Sequence, residues 1–349
     1  MTLFAVVTLL PLPLLLAGAT LGGLWALAAL LYITVIAFLL DQFIDLADDG
    51  ELPEGAEFPA ADRLSVALAV AHFGLLALGV WAVSGGTGIG WGARLACFFA
   101  FGLFFGQVSN SNAHELIHRA DKRLFRLGMW VYISLLFGHH TSAHRHIHHR
   151  YVATPDDPNS AEAGESFYAF LPRAWTGSFI AGYEMERALR QRLGRKGLHP
   201  YLLYLGGAAL IILAVALVFG LPGLIAYLAL AGYAQVQLLL SDYAQHYGLS
   251  RARRPGGKPE PVGPGHSWNA PHWFTSALML NAPRHSAHHA HPGRPYPALD
   301  LPAGGAAPML PYSLPAMATI ALCPPLWRRI MDRRLARWQA RSAKVPAAE

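Results

Sequence analysis

The chain has 349 residues, of which 54% are hydrophobic and only 14% charged, and its formal net charge is +6. Soluble domains usually have about 25% charged residues, so this composition disfavours a soluble globular protein. Cys97 and Cys323 are the two cysteines, which excludes a disulfide framework and a cysteine-ligated iron–sulfur centre within the chain, and no nucleic-acid-binding motif accompanies the basic charge.

The apolar segments predict an all-α integral membrane protein. Residues 1–40 contain no charged residue, and 40 residues are about twice the roughly 20 needed to cross a bilayer, so we expect a helical hairpin that bends within 18–23. No Lys or Arg precedes this run, so a cleaved signal peptide is not expected. In all we predict about six transmembrane helices, at residues 3–20, 22–40, 64–84, 92–112, 201–219 and 222–241.

Two polar segments rich in histidine, 113–200 and 242–306, follow the second and third pairs of spans. Of the 27 Lys and Arg residues, twelve lie in 113–200 and thirteen in 242–349, so the positive-inside rule places both segments in the cytoplasm. The acidic loop 41–63 is expected on the same side. We therefore expect a single membrane-embedded domain over residues 1–349, with a histidine-rich metal-binding cap on the cytoplasmic face.

The last segment, L-W-R-R-I-M-D-R-R-L-A-R-W-Q-A-R at 326–341, predicts a basic helix. We expect it to lie on membrane lipid with Trp327 and Trp338 as anchors, because basic charge and aromatic side chains favour the surface of an anionic bilayer. A solvated basic tail is the alternative.

Nine histidines form four clusters with the spacing of metal ligands: His114 and His118; His144, His148 and His149; His246; and His285, His288 and His289. Neutral imidazole suits zinc, copper, iron and nickel. Residues four apart share a helical face, so the pairs His114/His118, His144/His148 and His285/His289 are each predicted to bind one ion. His149 and His288 are rotated by about a quarter turn, which suits a second ion. Nine imidazoles exceed the four ligands of a zinc site and favour two irons.

The remaining histidines are expected to have lesser roles. His140 lies four residues before His144 and is an alternative member of that cluster. His139 and His140 are otherwise expected to orient the ligands, and His72 is expected to be a hydrogen-bonded core residue within its span.

Two other functions are compatible with parts of this pattern. H-E-L-I-H at 114–118 is also the zinc metalloprotease pattern, with Glu115 as general base, but a protease would leave about six clustered histidines without a role. A metal transporter would place ionisable groups near the middle of the bilayer, and the predicted spans are nearly free of them.

Several motifs occur in one order around these clusters. The clusters read H-x3-H, H-x3-H-H and H-x2-H-H; V-A-T-P-D-D-P-N-S follows the second at 152–160, D-Y-A-Q-H-Y-G-L lies at 242–249, and H-S-W-N lies at 266–269. Over residues 60 to 300 this arrangement resembles the membrane fatty acid desaturase/hydroxylase superfamily, and most closely its alkane monooxygenase branch.

The resemblance implies a non-haem diiron monooxygenase whose two irons are bound by the nine clustered histidines. It implies hydroxylation of the terminal carbon of an alkane or similar aliphatic chain, with dioxygen and electrons from rubredoxin or a similar iron–sulfur protein and its reductase. A fatty acyl desaturase or hydroxylase and an aromatic-methyl monooxygenase are alternatives within the superfamily. A multi-pass protein of the bacterial inner membrane is also implied.

The chain departs from this branch at three positions that are often acidic there, namely Ala143, Gln245 and Ala287. Carboxylates that hydrogen-bond to ligating histidines orient them, so we expect Glu115, Asp156 and Asp242 to compensate. A substrate that dissolves in the bilayer also needs a path to the site. Four aromatic residues crowd the helix that leads to His114 and are expected to line this tunnel, with ordinary helix packing as the alternative: Phe98, Phe101, Phe104 and Phe105.

Overall fold

Helices form nearly all the regular structure, as predicted. The computed structural model describes residues 1–43, 58–254 and 256–342, and in these ranges it has no β-strand and only two isolated bridges. The helices are α1 (Thr2–Leu21), α2 (Gly23–Phe43), α3 (Pro59–Ser84), α4 (Trp91–Ile117), α5 (Lys122–Ser134), α6 (140–151), α7 (Phe167–Arg192), α8 (Pro200–His246), α9 (Trp273–Leu278), α10 (His285–Ala290), α11 (Leu314–Ala321) and α12 (Pro324–Ser342). Short 3-10 turns lie at Pro264–His266, Tyr296–Ala298 and Ala303–Gly305.

Five of the described helices are long and apolar enough to cross a membrane: α1, α2, α3, α4 and α8. The predicted hairpin is present, because α1 ends at Gly22, whose φ of 64° is a left-handed conformation that glycine adopts without strain. Large apolar side chains such as Leu24 and Leu217 are exposed on the outside of these helices, as expected where lipid is the solvent. The chain is a multi-pass membrane protein. Most of the acidic loop 41–63 lies outside the described residues.

Helix α8 reverses its direction at Gly220. This residue has φ 64° and ψ −166°, which no helix accommodates. Tyr204, before it, packs on Gly138. Tyr227, after it, donates a hydrogen bond to the carbonyl of Ser134 at 2.8 Å. In a straight helix the two tyrosines would be about 35 Å apart, so contact with the same short segment requires the chain to fold back.

The two halves of α8 correspond to the predicted spans 201–219 and 222–241, which lie on either side of the kink. A helix of 47 residues would be about 70 Å long if straight, roughly twice the thickness of a bilayer core. The kink at Gly220 divides these residues into two helices, so α8 supplies the length of two spans. The count of six spans stays a prediction.

Helix α12 packs through its apolar side on the end of α8. Trp327, Met331 and Leu335 are buried at spacing four, and the ring of Trp327 lies 5.1 Å from the ring of Tyr243. The expectation that Trp327 anchors the helix to lipid is wrong, because this apolar stripe faces the protein core. Trp338 is half-buried beside Gly265, and most of the arginines of α12 are exposed.

Candidate metal centre

The nine clustered histidines converge where α4, α6, α8 and α10 meet. One ring nitrogen from each member of a group lies within 4.8 Å of the others, and the groups are a five-histidine group (His114, His118, His144, His149 and His288) and a four-histidine group (His148, His246, His285 and His289). The two groups adjoin, since the rings of His149 and His289 are 4.6 Å apart. The fold thus brings together the residues that the sequence analysis selected.

A π-helical turn divides the second histidine cluster between the groups. The turn is His144–His148, within α6. Residues five apart meet in a π-helix, whereas residues four apart meet in an α-helix. Accordingly, Nε2 of His144 and Nε2 of His149 are 2.9 Å apart, while His148 belongs to the four-histidine group. The predicted pairing of His144 with His148 on one ion is therefore wrong.

Each of the other two histidine pairs with a spacing of four residues lies within a single group. His114 and His118, at the end of α4, enter the five-histidine group, and His285 and His289 of α10 enter the four-histidine group. His288 is rotated away from its neighbours in α10, as predicted, and it reaches the five-histidine group. The two groups therefore interlock, because α6 and α10 each contribute to both.

The geometry of the facing nitrogens fits bound metal ions. Four Nε2 pairs lie 2.9–3.0 Å apart: His144–His149, His149–His288, His246–His285 and His285–His289. Two nitrogens bound to one ion at about 2.1 Å and at right angles are about 3.0 Å apart. The Nε2 atoms of His114, His118 and His148 are buried without a hydrogen-bond partner. Each such atom costs about 1–3 kcal/mol, a cost that coordination would remove.

Burial keeps most of these imidazoles neutral. It holds the pKa of His144 well below the usual value, and the neighbouring imidazoles lower it further. The same holds for His118, His149, His285, His288 and His289. A neutral imidazole has a free lone pair on one nitrogen, and this is the form that binds a metal ion.

His148 differs because a carboxylate contacts it. Burial lowers its pKa, but the Asp157 carboxylate, whose Oδ2 is 2.8 Å from Nδ1, more than offsets burial and raises the pKa above the usual value. Since the carboxylate accepts, Nδ1 carries the proton and Nε2 faces the four-histidine group. Asp157 in turn accepts hydrogen bonds from Ser160 Oγ at 2.7 Å and from the backbone N–H of Asn159 at 3.1 Å.

Asp157 is the carboxylate that the sequence analysis missed. The selected neighbour, Asp156, is exposed, so its expected role in orienting a ligand is wrong. A detectable signal was present, because an Asp that precedes Pro and accepts from the backbone two residues later forms an Asx turn, and D-P-N-S is typical of one. Such a turn holds its carboxylate inward, which leaves the preceding side chain on the outside.

Asp242 and Glu115 have different surroundings. Asp242 is buried and accepts a hydrogen bond from Asn159 Nδ2 at 2.6 Å, so it belongs to the polar network around Asp157. Glu115 is buried, pairs with Arg119 at 2.9 Å and accepts from the backbone N–H of Tyr296 at 3.1 Å. This engagement argues against Glu115 as the general base of a zinc protease.

His139 and His140 flank the site and belong to neither group. The ring of His140 stacks on Phe137 and lies 5.0 Å from the ring of His144, which is compatible with the expected supporting role. His139 instead packs against Phe137, Trp175 and Phe179, and burial lowers its pKa to about 3. Its partners are aromatic rings rather than clustered imidazoles, so the expectation that it orients a ligand is not supported.

The phenylalanines selected for the tunnel lie in the core beside α8. Phe101, Phe104 and Phe105 are fully buried, whereas Phe98 is half-buried against the ring of Tyr233. Their packing agrees with either use, as a tunnel lining or as ordinary core.

The comparison with known proteins identifies the class. The family model for fatty acid desaturases matches residues 89–321, which include both histidine groups. The chain belongs to the fatty acid desaturase family.

Several relatives narrow this class. Alkane 1-monooxygenase 2 of Pseudomonas aeruginosa is 31% identical over 310 residues, which cover 86% of this chain and 82% of that protein. Alkane 1-monooxygenase of Acinetobacter baylyi is 35% identical over 232 residues, which cover 65% of this chain and 56% of that protein. The xylene/toluene monooxygenase hydroxylase component of Pseudomonas putida is 27% identical and covers 80% of this chain and 74% of that protein. The chain is an alkane 1-monooxygenase-like oxidoreductase.

Proposed function

We propose that this protein is a diiron monooxygenase that hydroxylates the terminal carbon of alkanes or similar aliphatic chains. The observation that carries this proposal is the pair of adjoining groups of five and four imidazoles, six of them buried, in a membrane protein of this family. Each group would hold one iron. Nine imidazoles exceed the four ligands of a zinc site, and imidazole suits iron.

Bound iron would supply the reduction of dioxygen, in which RH, O2, two electrons and two protons give ROH and H2O. The protein's own contribution is to hold the ligands in place. Asp157 fixes the tautomer and direction of His148, and hydrogen bonds of this kind sustain metal affinity. Six of the nine histidines are buried, which keeps bulk water away from the site.

The substrate would enter from the bilayer. We propose that Phe98, Phe101, Phe104 and Phe105 line its path along α4 towards His114. The basic charge of 113–200 and 242–349 supports a location in the bacterial inner membrane with both histidine groups on the cytoplasmic face. We also propose that residues 1–349 form one domain, because the two polar segments contribute to one site.

The electrons would come from another protein, rubredoxin or a similar iron–sulfur carrier with its reductase. Cys97 and Cys323 are isolated cysteines, and no nucleotide-binding motif accompanies them, so the chain lacks the groups that collect electrons from NADH. The cytoplasmic face is where such a carrier would meet the histidine groups.

Product analysis tests this function. Membranes that contain the protein would be given dioxygen, a reductase, a rubredoxin and a series of alkanes, and the products separated by gas chromatography. Primary alcohols are expected. The xylene/toluene relative makes an aromatic-methyl substrate the second candidate, so xylene belongs in the series, and a fatty acid tests for desaturation. Two irons per purified chain are expected, whereas one zinc with proteolytic activity would overturn the proposal.

A further inference from the structure

A second π-helical turn precedes the first pair of histidines. It is Phe105–Ser109 in α4, and His114 follows five residues after its end. A π-helical turn takes one extra residue into the helix, and each residue of a helix turns the chain by about 100°. Without this turn, His114 and His118 would point about 100° away from the five-histidine group.

His72 of α3 binds this turn through a chain of hydrogen bonds whose direction is fixed. Ser134 Oγ donates to the carbonyl of Val131 at 2.7 Å, so it has no proton left for His72 Nε2, which is 2.8 Å away. His72 Nε2 must therefore carry the proton and donate to Ser134. It follows that His72 Nδ1 accepts from Ser109 Oγ at 2.9 Å. The expectation that His72 is a hydrogen-bonded core residue is confirmed, since it is fully buried.

The bond from Ser109 to His72 leaves the π-helical hydrogen bond undisturbed and ties the turn to α3. The carbonyl of Phe105 accepts the backbone N–H of Asn110, five residues later. A serine hydroxyl in a helix usually donates to the carbonyl four residues before it, which for Ser109 is the same Phe105 carbonyl. Because the Ser109 hydroxyl donates to His72 instead, it leaves this carbonyl free and ties the turn to α3, and this tie is lost when either partner is removed.

Neighbouring contacts hold the turn from other sides. Asn110 Nδ2 donates to the carbonyl of Ala234 in α8 at 2.9 Å, and Asn112 Nδ2 donates to the carbonyl of Ser65 in α3 at 2.8 Å. A Cβ on Gly106 would lie 2.5 Å from the side chain of Gln237, so α8 passes directly over the turn. Polar anchors of this kind within spans fix the rotation of α4 about its axis.

We propose that His72 is a positioning residue: by accepting the Ser109 hydroxyl, it holds the π-helical turn of α4 and sets the direction in which His114 and His118 face. The proposal rests on the proposed function only in taking the five-histidine group as the site of an ion. His72 itself lies outside both groups.

Two matched pairs of variants separate this role from simple packing. His72→Asn keeps an acceptor near the position of Nδ1, and His72→Gln keeps a donor near the position of Nε2. Ser109→Ala removes the hydroxyl that binds the turn, and Ser65→Ala removes a buried hydroxyl of α3 that has no hydrogen-bond partner among the described residues. In the full-length protein loaded with ferrous iron, Ser109→Ala and His72→Gln are expected to lose about one of two irons. His72→Asn and Ser65→Ala should keep both. Equal loss within each pair would overturn the proposal.

A readout without metal keeps the test independent of the proposed function. The rings of His114 and His288 lie 4.2 Å apart, so cysteines at these two positions, with Cys323→Ser as background, should be joined by a short bis-maleimide. Adding Ser109→Ala should lower the yield of cross-link several-fold, because position 114 rotates away, while Ser65→Ala should leave it unchanged. Unchanged cross-linking with Ser109→Ala would refute the role of His72. Absence of iron from the unaltered protein would instead refute the diiron site.

Discussion

The Nε2 atoms of His144 and His149 lie 2.9 Å apart, although five sequence positions separate the two residues. His148, only four positions from His144, turns towards the other group. The π-helical turn of α6 thus decides which histidines lie in the same group.

The division of the histidines into two groups predicts how the loss of iron combines in double variants. His144→Ala and His149→Ala should each cost the iron of the five-histidine group, and the double variant should lose no more than either single variant. His144→Ala with His148→Ala should lose iron from both groups, because their effects fall on separate ions and add. Iron per chain, measured by plasma emission spectroscopy, checks this. Additive loss of iron in the double variant of His144 and His149 would mean that these two residues bind different ions, as the α-helical pairing predicts.

Asp157 gives a prediction for the residues that support the ligands. Asp157→Asn weakens the acceptor that holds Nδ1 of His148, and the loss of such a partner typically costs about 10–100-fold in metal affinity or activity. Asp156→Asn is the matched control, because that side chain is exposed and should change little. Iron affinity and kcat/KM are the measurements. An equal effect of the two substitutions would contradict the structure.

We expect hydroxylation by this chain to require a separate electron carrier. The purified chain with NADH and an alkane is expected to give no alcohol, because its two isolated cysteines provide no iron–sulfur centre. Addition of a rubredoxin and its reductase should start turnover, followed as NADH consumed per alcohol formed. Alcohol production by the chain with NADH alone would remove the need for a carrier protein.

The two tryptophans of α12 should differ in their effect on stability. Trp327→Ala opens a cavity in a packed aromatic cluster, and changes of this kind cost about 3–5 kcal/mol. Trp338→Ala should cost less, because its ring is half-buried. Thermal unfolding in detergent micelles compares them. A larger loss for Trp338 would favour the helix as a lipid anchor.

His139 should make the protein sensitive to acid. Burial lowers its pKa to about 3 in the folded state, while the unfolded value is about 6.5. Between these values the unfolded state binds more protons, so the stabilisation is complete above pH 6.5 and falls as the pH drops, by about 1.4 kcal/mol per pH unit.

The matched variant is His139→Phe, which keeps a ring between Phe137 and Trp175 and cannot take up a proton. From pH 7 to pH 5 the natural protein should lose about 2 kcal/mol more stability than the variant. Melting temperatures across this range give the comparison. Parallel curves for the natural protein and the variant would show that protonation of His139 does not contribute to the acid sensitivity.

The composition of the sequence and the spacing of its histidines predicted the all-α membrane fold and the set of clustered histidines. Apolar runs of about 20 residues must be helical in lipid, because every backbone polar group has to be paired within the segment, so the all-α membrane fold follows from hydropathy. The nine histidines stood out because their spacing suits a shared face, and His114 with His118 meets that expectation in an α-helix. The burial of His72 was also foreseeable, since a histidine within a span needs partners.

Only the tertiary structure decided how the histidines are divided. Spacing of four assumes an unbroken α-helix, and the sequence gives no period that marks an extra residue, so the π-helical turns of α4 and α6 were not predicted. The turn of α4 is held by a group far along the chain, because His72 accepts a hydrogen bond from Ser109, 37 positions away. That the Asp157 carboxylate meets His148 was also decided by the fold, because the Asx-turn signal of D-P-N-S marks Asp157 but does not say which side chain it contacts.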